Sequence, residues 1–293
     1  MATTITAADV KKLRDQTGAG MMECKNALTE ANGDFEEANT ILRKRGLASA
    51  AKKAGRSANE GLIANKVAAD HNWGILAEVN CESDFVARTP DFVALMDQVL
   101  AEIEKAGDAA TDAWLKDPQG PVIKHVAPVI AKLGENMGVS RFVRFAGHGY
   151  VGQYIHLGGK IGVMVELAGV TPEISGRDEF NALVKELAMQ VAAASPTYAT
   201  RAEVPADHLE KEKAIYRAQM EGSGKPANVL EKIIEGKLGS YYKQTVLTDQ
   251  DSIRDTTGKT SVKDVLGAAN KALGASVSVT RFVRLKVGEA AGQ

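Results

Sequence analysis

The sequence predicts an α+β protein, and three observations carry that prediction. Residues 5–46 show helical periodicity and no strand pattern. Further on, an apolar strand followed by a helical stripe occurs twice, at an offset of 88 residues. Between the second stripe and the last strand lies a charged, weakly amphipathic stretch of helix formers at about 205–243.

Residues 5–46 read as three short helices. Thr6 and Asp9 have the spacing of a capping box, with Ile5 and Val10 as its hydrophobic staple. The first helix carries Val10 and Leu13, and Thr17-Gly18-Ala19-Gly20 stops it. The second shows Met21, Cys24 and Leu28 at core spacing and ends at Asn32-Gly33. Asp34 and Glu37 open the third, which bears Ala38, Ile41 and Leu42. From Arg43 to Arg56 the chain then holds six basic residues and no acid. This run reads first as a solvated helix end and linker. Contact with RNA or with an acidic surface is the alternative.

The duplication occupies the rest. Gly74–Asn80 matches Gly162–Ala168, and the stripe Phe92, Leu95, Met96, Val99, Ile103 maps onto Phe180, Leu183, Val184, Leu187, Val191. A further strand recurs as SRFVRF at 140–145 and TRFVRL at 280–285. Each half reads as strand, strand, helix, strand, with helices on one face of an antiparallel sheet. Two copies mark a duplicated domain rather than a solenoid. The expected division is 1–55 for the helical module and basic linker, 56–148 for the first α+β unit and 149–293 for the second. An antiparallel helical hairpin is inserted in the second unit at about 205–243, with Leu230, Ile234, Leu238 and Tyr241 on one stripe of its second helix.

The copies differ at the junction of strand and helix. The first has Ser83-Asp84-Phe85-Val86, the second Thr171-Pro172-Glu173-Ile174. A scaffold that accepts a plain proline turn at this place does not obviously require Phe85 for folding, and a local packing role is the alternative. An aromatic side chain in a connecting segment is therefore the sharpest functional signal in the chain.

Other chemistry is thin. Apolar residues make up 44% of the chain, charged residues 25%, and the formal charge is -1, with a pI near 6.5. That balance describes an ordinary globular protein and argues against a dedicated nucleic-acid binder, so no stable nucleic-acid binding is expected. Two cysteines far apart form neither a disulfide framework nor a zinc motif. Gly222-Ser223-Gly224-Lys225 lacks the strand and the flanking residues of a phosphate loop, and Gly18-Ala19-Gly20 is a helix–helix turn. The histidines are scattered. His148 and His156 could share a strand face, but no third ligand accompanies them. With no catalytic constellation and no cofactor motif, the expectation is a protein that is not an enzyme and has no cofactor. No secretory signal or membrane span is read, which points to a cytoplasmic protein without membrane partners.

Several segments in order resemble the elongation factor Ts family: LRDQTGAGMMECKNALTEANGD, AAKKAGRSANEG, NCESDFVAR, YIHLGGKIGVMVEL, SGKPANVLEKIIEGKL and RFVRLKVGE. The resemblance runs from about Ile5 to Gly288. It implies a ubiquitin-associated-like helical domain, a core of two similar α+β subdomains and a projecting coiled-coil hairpin. It also implies a guanine nucleotide exchange factor for the GTPase elongation factor Tu, binding its GDP-bound and nucleotide-free forms, and it is compatible with a 2:2 assembly. The family's Thr-Asp-Phe-Val motif falls on Ser83, Asp84, Phe85 and Val86, which by resemblance dislocate the partner's magnesium. Lys11, Arg14, Met21 and Met22 match residues that dock on the GTPase domain, and His156 matches a contact to its third domain. Three departures stand out. Ser83 replaces the usual threonine, Gln250-Asp251-Ser252 stands where Gln-Pro-aromatic is common, and an extended C-terminal helix found in some members is expected to be absent. The rival expectation is a ribosome- or RNA-binding translation module that uses the basic 43–56 segment.

Overall fold

The computed structural model describes residues 4–220 and 226–289. Three helices come first: α1 (Ala7–Thr17), α2 (Met21–Glu30) and α3 (Phe35–Lys53). Thr6 caps α1 reciprocally with Asp9, and Asp34 caps α3 by accepting from the Glu37 amide at 2.8 Å. Val10, Leu13, Cys24, Ala27, Leu28 and Ala38 close a small core. Met21 is not part of it. As the first residue of α2 it lies beside the Gly20 cap, 49% exposed, and Ala27 fills the core instead.

The basic run is a helix end over most of its length, as read, but one face of it is packed rather than solvated. α3 continues to Lys53, with Gly46 and Ala50 buried on one face. A Cβ built on Gly46 would touch the Ala127 carbonyl at 3.5 Å, so the helices approach closely there. Lys53 donates to the Ile130 carbonyl. The small residues interleaved with the charges give this run a packing face that its charge pattern hides.

The first α+β unit comprises β1 (Glu60–Val67), β2 (Trp73–Cys81), α4 (Asp84–Ala87), α5 (Pro90–Ala106), α6 (Asp112–Leu115), α7 (Pro121–Leu133) and β3 (Met137–Ala146). The second comprises β4 (Tyr150–His156), β5 (Ile161–Ala168), α8 (Pro172–Ser175), α9 (Asp178–Ala194), α10 (Ala206–Gln219), α11 (Ala227–Thr245), α12 (Val262–Leu273) and β6 (Ser278–Lys286). Each unit builds a three-stranded antiparallel sheet, ordered β1-β2-β3 and β4-β5-β6. His148 lies in the turn ahead of β4, not on a strand face with His156.

The duplication extends further than the sequence pattern. Besides the strands and the α5/α9 pair, α7 and α12 correspond, with Val122, Val126 and Gly134 matching Val262, Leu266 and Gly274. Both helices end at a left-handed glycine. Each unit therefore has a second helix covering its sheet, which the strand, strand, helix, strand reading omitted.

The central strands are buried on both faces. Ile75, Ala77, Val79 and Cys81 face α5 and α7, while Val163, Val165 and Leu167 face α9 and α12. The opposite faces meet each other: Ile63, Leu76, Phe145, Val151, Met164 and Leu285 form one cluster drawn from all six strands. The result is four layers, helix–sheet–sheet–helix. Gly74 and Gly162, equivalent in the repeat, sit at this seam. A Cβ at Gly162 would lie 2.5 Å from Ile63, and one at Gly74 2.8 Å from Val151. Only glycine admits that approach without a shift.

Two carboxylates lie buried in β2 and β5. Arg141 pairs with Glu78 at 2.8 Å and Arg281 with Glu166 at 2.7 Å, at matching places in the two repeats. The Gln250-Asp251-Ser252 segment is held by polar contacts. Gln250 donates to the carbonyls of Ala194 and Gln244 and accepts from Gln190, and Ser252 bonds to Thr260 and Glu186. Between α10 and α11, Arg217 faces Glu231, and Lys237 reaches Gln219 and lies over the Tyr216 ring. Of the stripe, Ile234 and Leu238 are buried and Leu230 and Tyr241 are half-buried. The Gly222–Lys225 stretch lies outside the described residues.

Candidate functional site

The segment after β2 is a one-turn helix rather than an open loop. Ser83, extended at φ -126°, is the N-cap of α4 and accepts from the Val86 amide at 3.4 Å. Four residues are too few to hold a helix through their own hydrogen bonds. Anchors do it instead: Ala87 is buried and Val86 packs against the first core cluster. Phe85 points the other way. It is 81% exposed, the highest among the large exposed apolar side chains of the described residues. Asp84 is partly exposed and pairs with Arg88 one turn on, at 3.0 Å.

At the equivalent place α8 is also a four-residue helix, but its cap residue Thr171 makes no capping bond to a backbone amide of the helix. Pro172 and Glu173 stand where Asp84 and Phe85 stand in α4. The repeat thus keeps the turn and changes what it displays.

Around Ser83 lies a set of residues that no motif pointed to. The Ser83 amide donates to Glu135 Oε2 at 3.0 Å and its hydroxyl to Glu135 Oε1 at 2.6 Å. Cys81 Sγ donates to the Ser83 carbonyl at 3.1 Å. Burial is the main reason the Cys81 thiol is pushed up to about 11, with the Glu135 charge adding to it. Next to this, Glu82 accepts from the Asn136 amide at 2.6 Å and pairs with Arg56. The amide bond, with Arg56 second, holds the Glu82 carboxyl below its ordinary range. The contacts to Glu135, Asn136 and Arg56 span 26 to 54 residues of sequence, so no local pattern announces them.

The remaining candidates lie in two other places. Lys11 and Arg14 are exposed on α1, and Met21 and Met22 are exposed at the start of α2, the latter at 65%. Gly18, in the turn between these two helices, lies against Lys132 of α7, whose side chain a Cβ there would touch. Lys132 in turn pairs with Asp91 at 2.7 Å, in the first turn of α5 and a few residues past Phe85. His156 is separate. It ends β4, exposed, with Tyr154 hydroxyl 2.9 Å from its Nδ1. Among the described residues it makes no hydrogen bond or ion pair to the other two groups. Nor do the described residues hold a cluster of three metal-binding side chains or a helix long and apolar enough to cross a membrane.

Comparison with known proteins agrees along the chain. The family model for elongation factor Ts matches residues 82–289. The elongation factor Ts of a Nitratiruptor species is 44% identical over 289 residues, 97% of this chain and 93% of the relative. Those of Clostridium botulinum (a type E3 strain) and Trichlorobacter lovleyi are 45% and 43% identical, at the same two coverages. A duplicated α+β core with one exposed aromatic turn thus falls in the class of translation elongation factors. The chain belongs to the elongation factor Ts family.

Proposed function

We propose that this protein is a guanine nucleotide exchange factor for elongation factor Tu and that Asp84 and Phe85 are its wedge. The observation carrying the reading is Phe85: 81% exposed on an anchored helical turn, in a repeat whose other copy displays Glu173. Burying such a side chain in a partner is worth roughly 1.5 to 3 kcal/mol, or one to two decades in an equilibrium constant. Asp84 supplies a negative charge beside it, free to exchange Arg88 for groups near the partner's magnesium. Exchange makes and breaks no covalent bond. It requires negative coupling, so that factor and nucleotide each weaken the other's hold on the GTPase. Loosening magnesium is an effective lever because the metal neutralises the phosphates and ties them to the protein. The wedge need not distinguish GDP from GTP, since an excess of GTP sets the direction.

In this reading residues 1–55 form a ubiquitin-associated-like module that docks on the GTPase domain through Lys11, Arg14, Met21 and Met22. Residues 56–148 carry the wedge. Residues 149–293 place His156 against the third domain of the GTPase and carry the coiled-coil arm. The protein acts in the cytoplasm, and a 2:2 assembly accommodates this arrangement. Three basic residues of the 43–56 run, Arg45, Lys53 and Arg56, already engage Glu30, the Ile130 carbonyl and Glu82, which favours docking over RNA binding. The deciding experiment is release of labelled GDP from elongation factor Tu with and without this protein. Acceleration is expected, and an unchanged rate at saturating protein refutes the reading.

A further inference from the structure

All the polar groups of Ser83 are tied down. Its amide and hydroxyl both donate to the carboxylate of Glu135, at 3.0 and 2.6 Å. Its carbonyl accepts from Cys81 Sγ and from the Ala87 amide. With its proton committed to Glu135, the hydroxyl turns a lone pair to the Val86 amide, which is the cap of α4. One carboxylate thus orients the residue that starts the turn carrying Phe85.

The repeat shows that this is an addition to the scaffold. α7 and α12 end at the equivalent glycines Gly134 and Gly274, and the next residue is Glu135 in one copy and Ala275 in the other. In that second copy no carboxylate from the end of α12 reaches Thr171, whose side chain meets Glu173 of its own turn instead, and α8 still forms. The turn can therefore be built without a carboxylate from the far helix. What the carboxylate adds is a fixed orientation, through two charge-assisted bonds to one residue.

We propose that Glu135 is a positioning residue for nucleotide exchange: it clamps Ser83 so that Phe85 is held ready for the partner. This rests on the wedge reading above. A wedge that wanders is competent for only a fraction of the time, and its apparent affinity falls by that fraction. Glu135 is bonded to Ser83, and in this proposal its whole effect passes through α4.

Two measurements on the full chain test this. In the free protein, Glu135→Ala should lower hydrogen-exchange protection of the Ser83, Val86 and Ala87 amides by about tenfold or more. The amides of β2 and the melting temperature should stay near parental values. In GDP release at subsaturating factor, Glu135→Ala should slow exchange in the parent and have no further effect in an Asp84→Ala/Phe85→Ala background, the non-additivity expected of residues acting through one element. Equal slowing in both backgrounds overturns the proposal, as does unchanged protection of the α4 amides. Slow release with Phe85→Ala but parental release with Glu135→Ala overturns the clamp and leaves the wedge standing. Parental release with Asp84→Ala/Phe85→Ala removes the wedge, and the role of the clamp with it. If Glu135→Ala does not fold, Glu135→Gln serves: it keeps the shape and one acceptor, and the same two readouts decide.

Discussion

Phe85 and Asp84 set the experiment at the scale of single residues. A buried phenylalanine cut to alanine costs about 3 to 5 kcal/mol, but Phe85 is 81% exposed and has little of that to lose. Phe85→Ala should keep nearly the parental melting temperature while GDP release at subsaturating factor falls by about tenfold or more. Asp84→Ala should slow release too, and both effects should shrink when magnesium is chelated, because the wedge's main task is then already done. A large fall in melting temperature with release retained would mean that the side chain is structural. Cys81 behaves in the opposite way, as an inert group. Its thiol is pushed up to about 11 from an unfolded value near 9. A raised folded value means that its contribution to stability is intact below pH 9 and is lost as pH rises through about 11. Native protein at pH 8.5 should resist iodoacetamide at Cys81, with alkylation appearing only on unfolding in urea; rapid native labelling, mapped by mass, would contradict this.

Among the elements, the central strands carry the most unusual load. Glu78 is 3% exposed and depends on Arg141, and Glu166 is 1% exposed and depends on Arg281. Removing one partner of a buried pair costs about 3 to 5 kcal/mol, and without Arg141 the Glu78 carboxylate would keep only the Asn80 side-chain amide and the Gly288 N–H as donors. Arg141→Met should show such a loss in urea unfolding, and a change below about 1 kcal/mol would mean that solvent already reaches Glu78. The elements also show how far the sequence could be read. The β2 and β5 runs and the α5 and α9 stripes were legible because their periodicity is local and repeats. The caps at Thr6 and Asp34 were legible for the same reason. α4 was not, because one turn has no period to detect. Phe85 stood out through the comparison of copies, whereas Glu135 did not, since its contact to Ser83 crosses 52 residues. Met21 was misplaced because its spacing fits the core stripe while its position at the helix start faces solvent. The second half of α3 was read as a solvated helix end and linker, and its packing face was missed because charge was weighed above the small residues between the charges.

That half of α3 joins the N-terminal module to the rest of the molecule, and it decides where a truncation is informative. Gly46 lies against Ala127, Ala50 belongs to the first core cluster and Lys53 reaches the Ile130 carbonyl. Deleting residues 1–50 therefore removes the docking surface and also uncovers α7. Exposing Ala127 and Ile130 should cost roughly 2 to 4 kcal/mol, so this variant should melt well below the parent. Deleting residues 1–33 is the cleaner cut. It takes away Lys11, Arg14, Met21 and Met22 and leaves α3 on α7, with only the stretch around Ala38, Ile41 and Leu42 released from its packing. If the module supplies affinity and the wedge supplies exchange, the 1–33 deletion should keep the core's melting temperature and weaken binding to elongation factor Tu. At saturating concentration it should still release GDP at close to the parental rate. Binding by titration, release at saturation and thermal unfolding on the two deletions separate the cases. Loss of release at saturation with binding intact would place exchange chemistry in the N-terminal module. A 1–50 deletion as stable as the parent would mean that α3 is a linker after all.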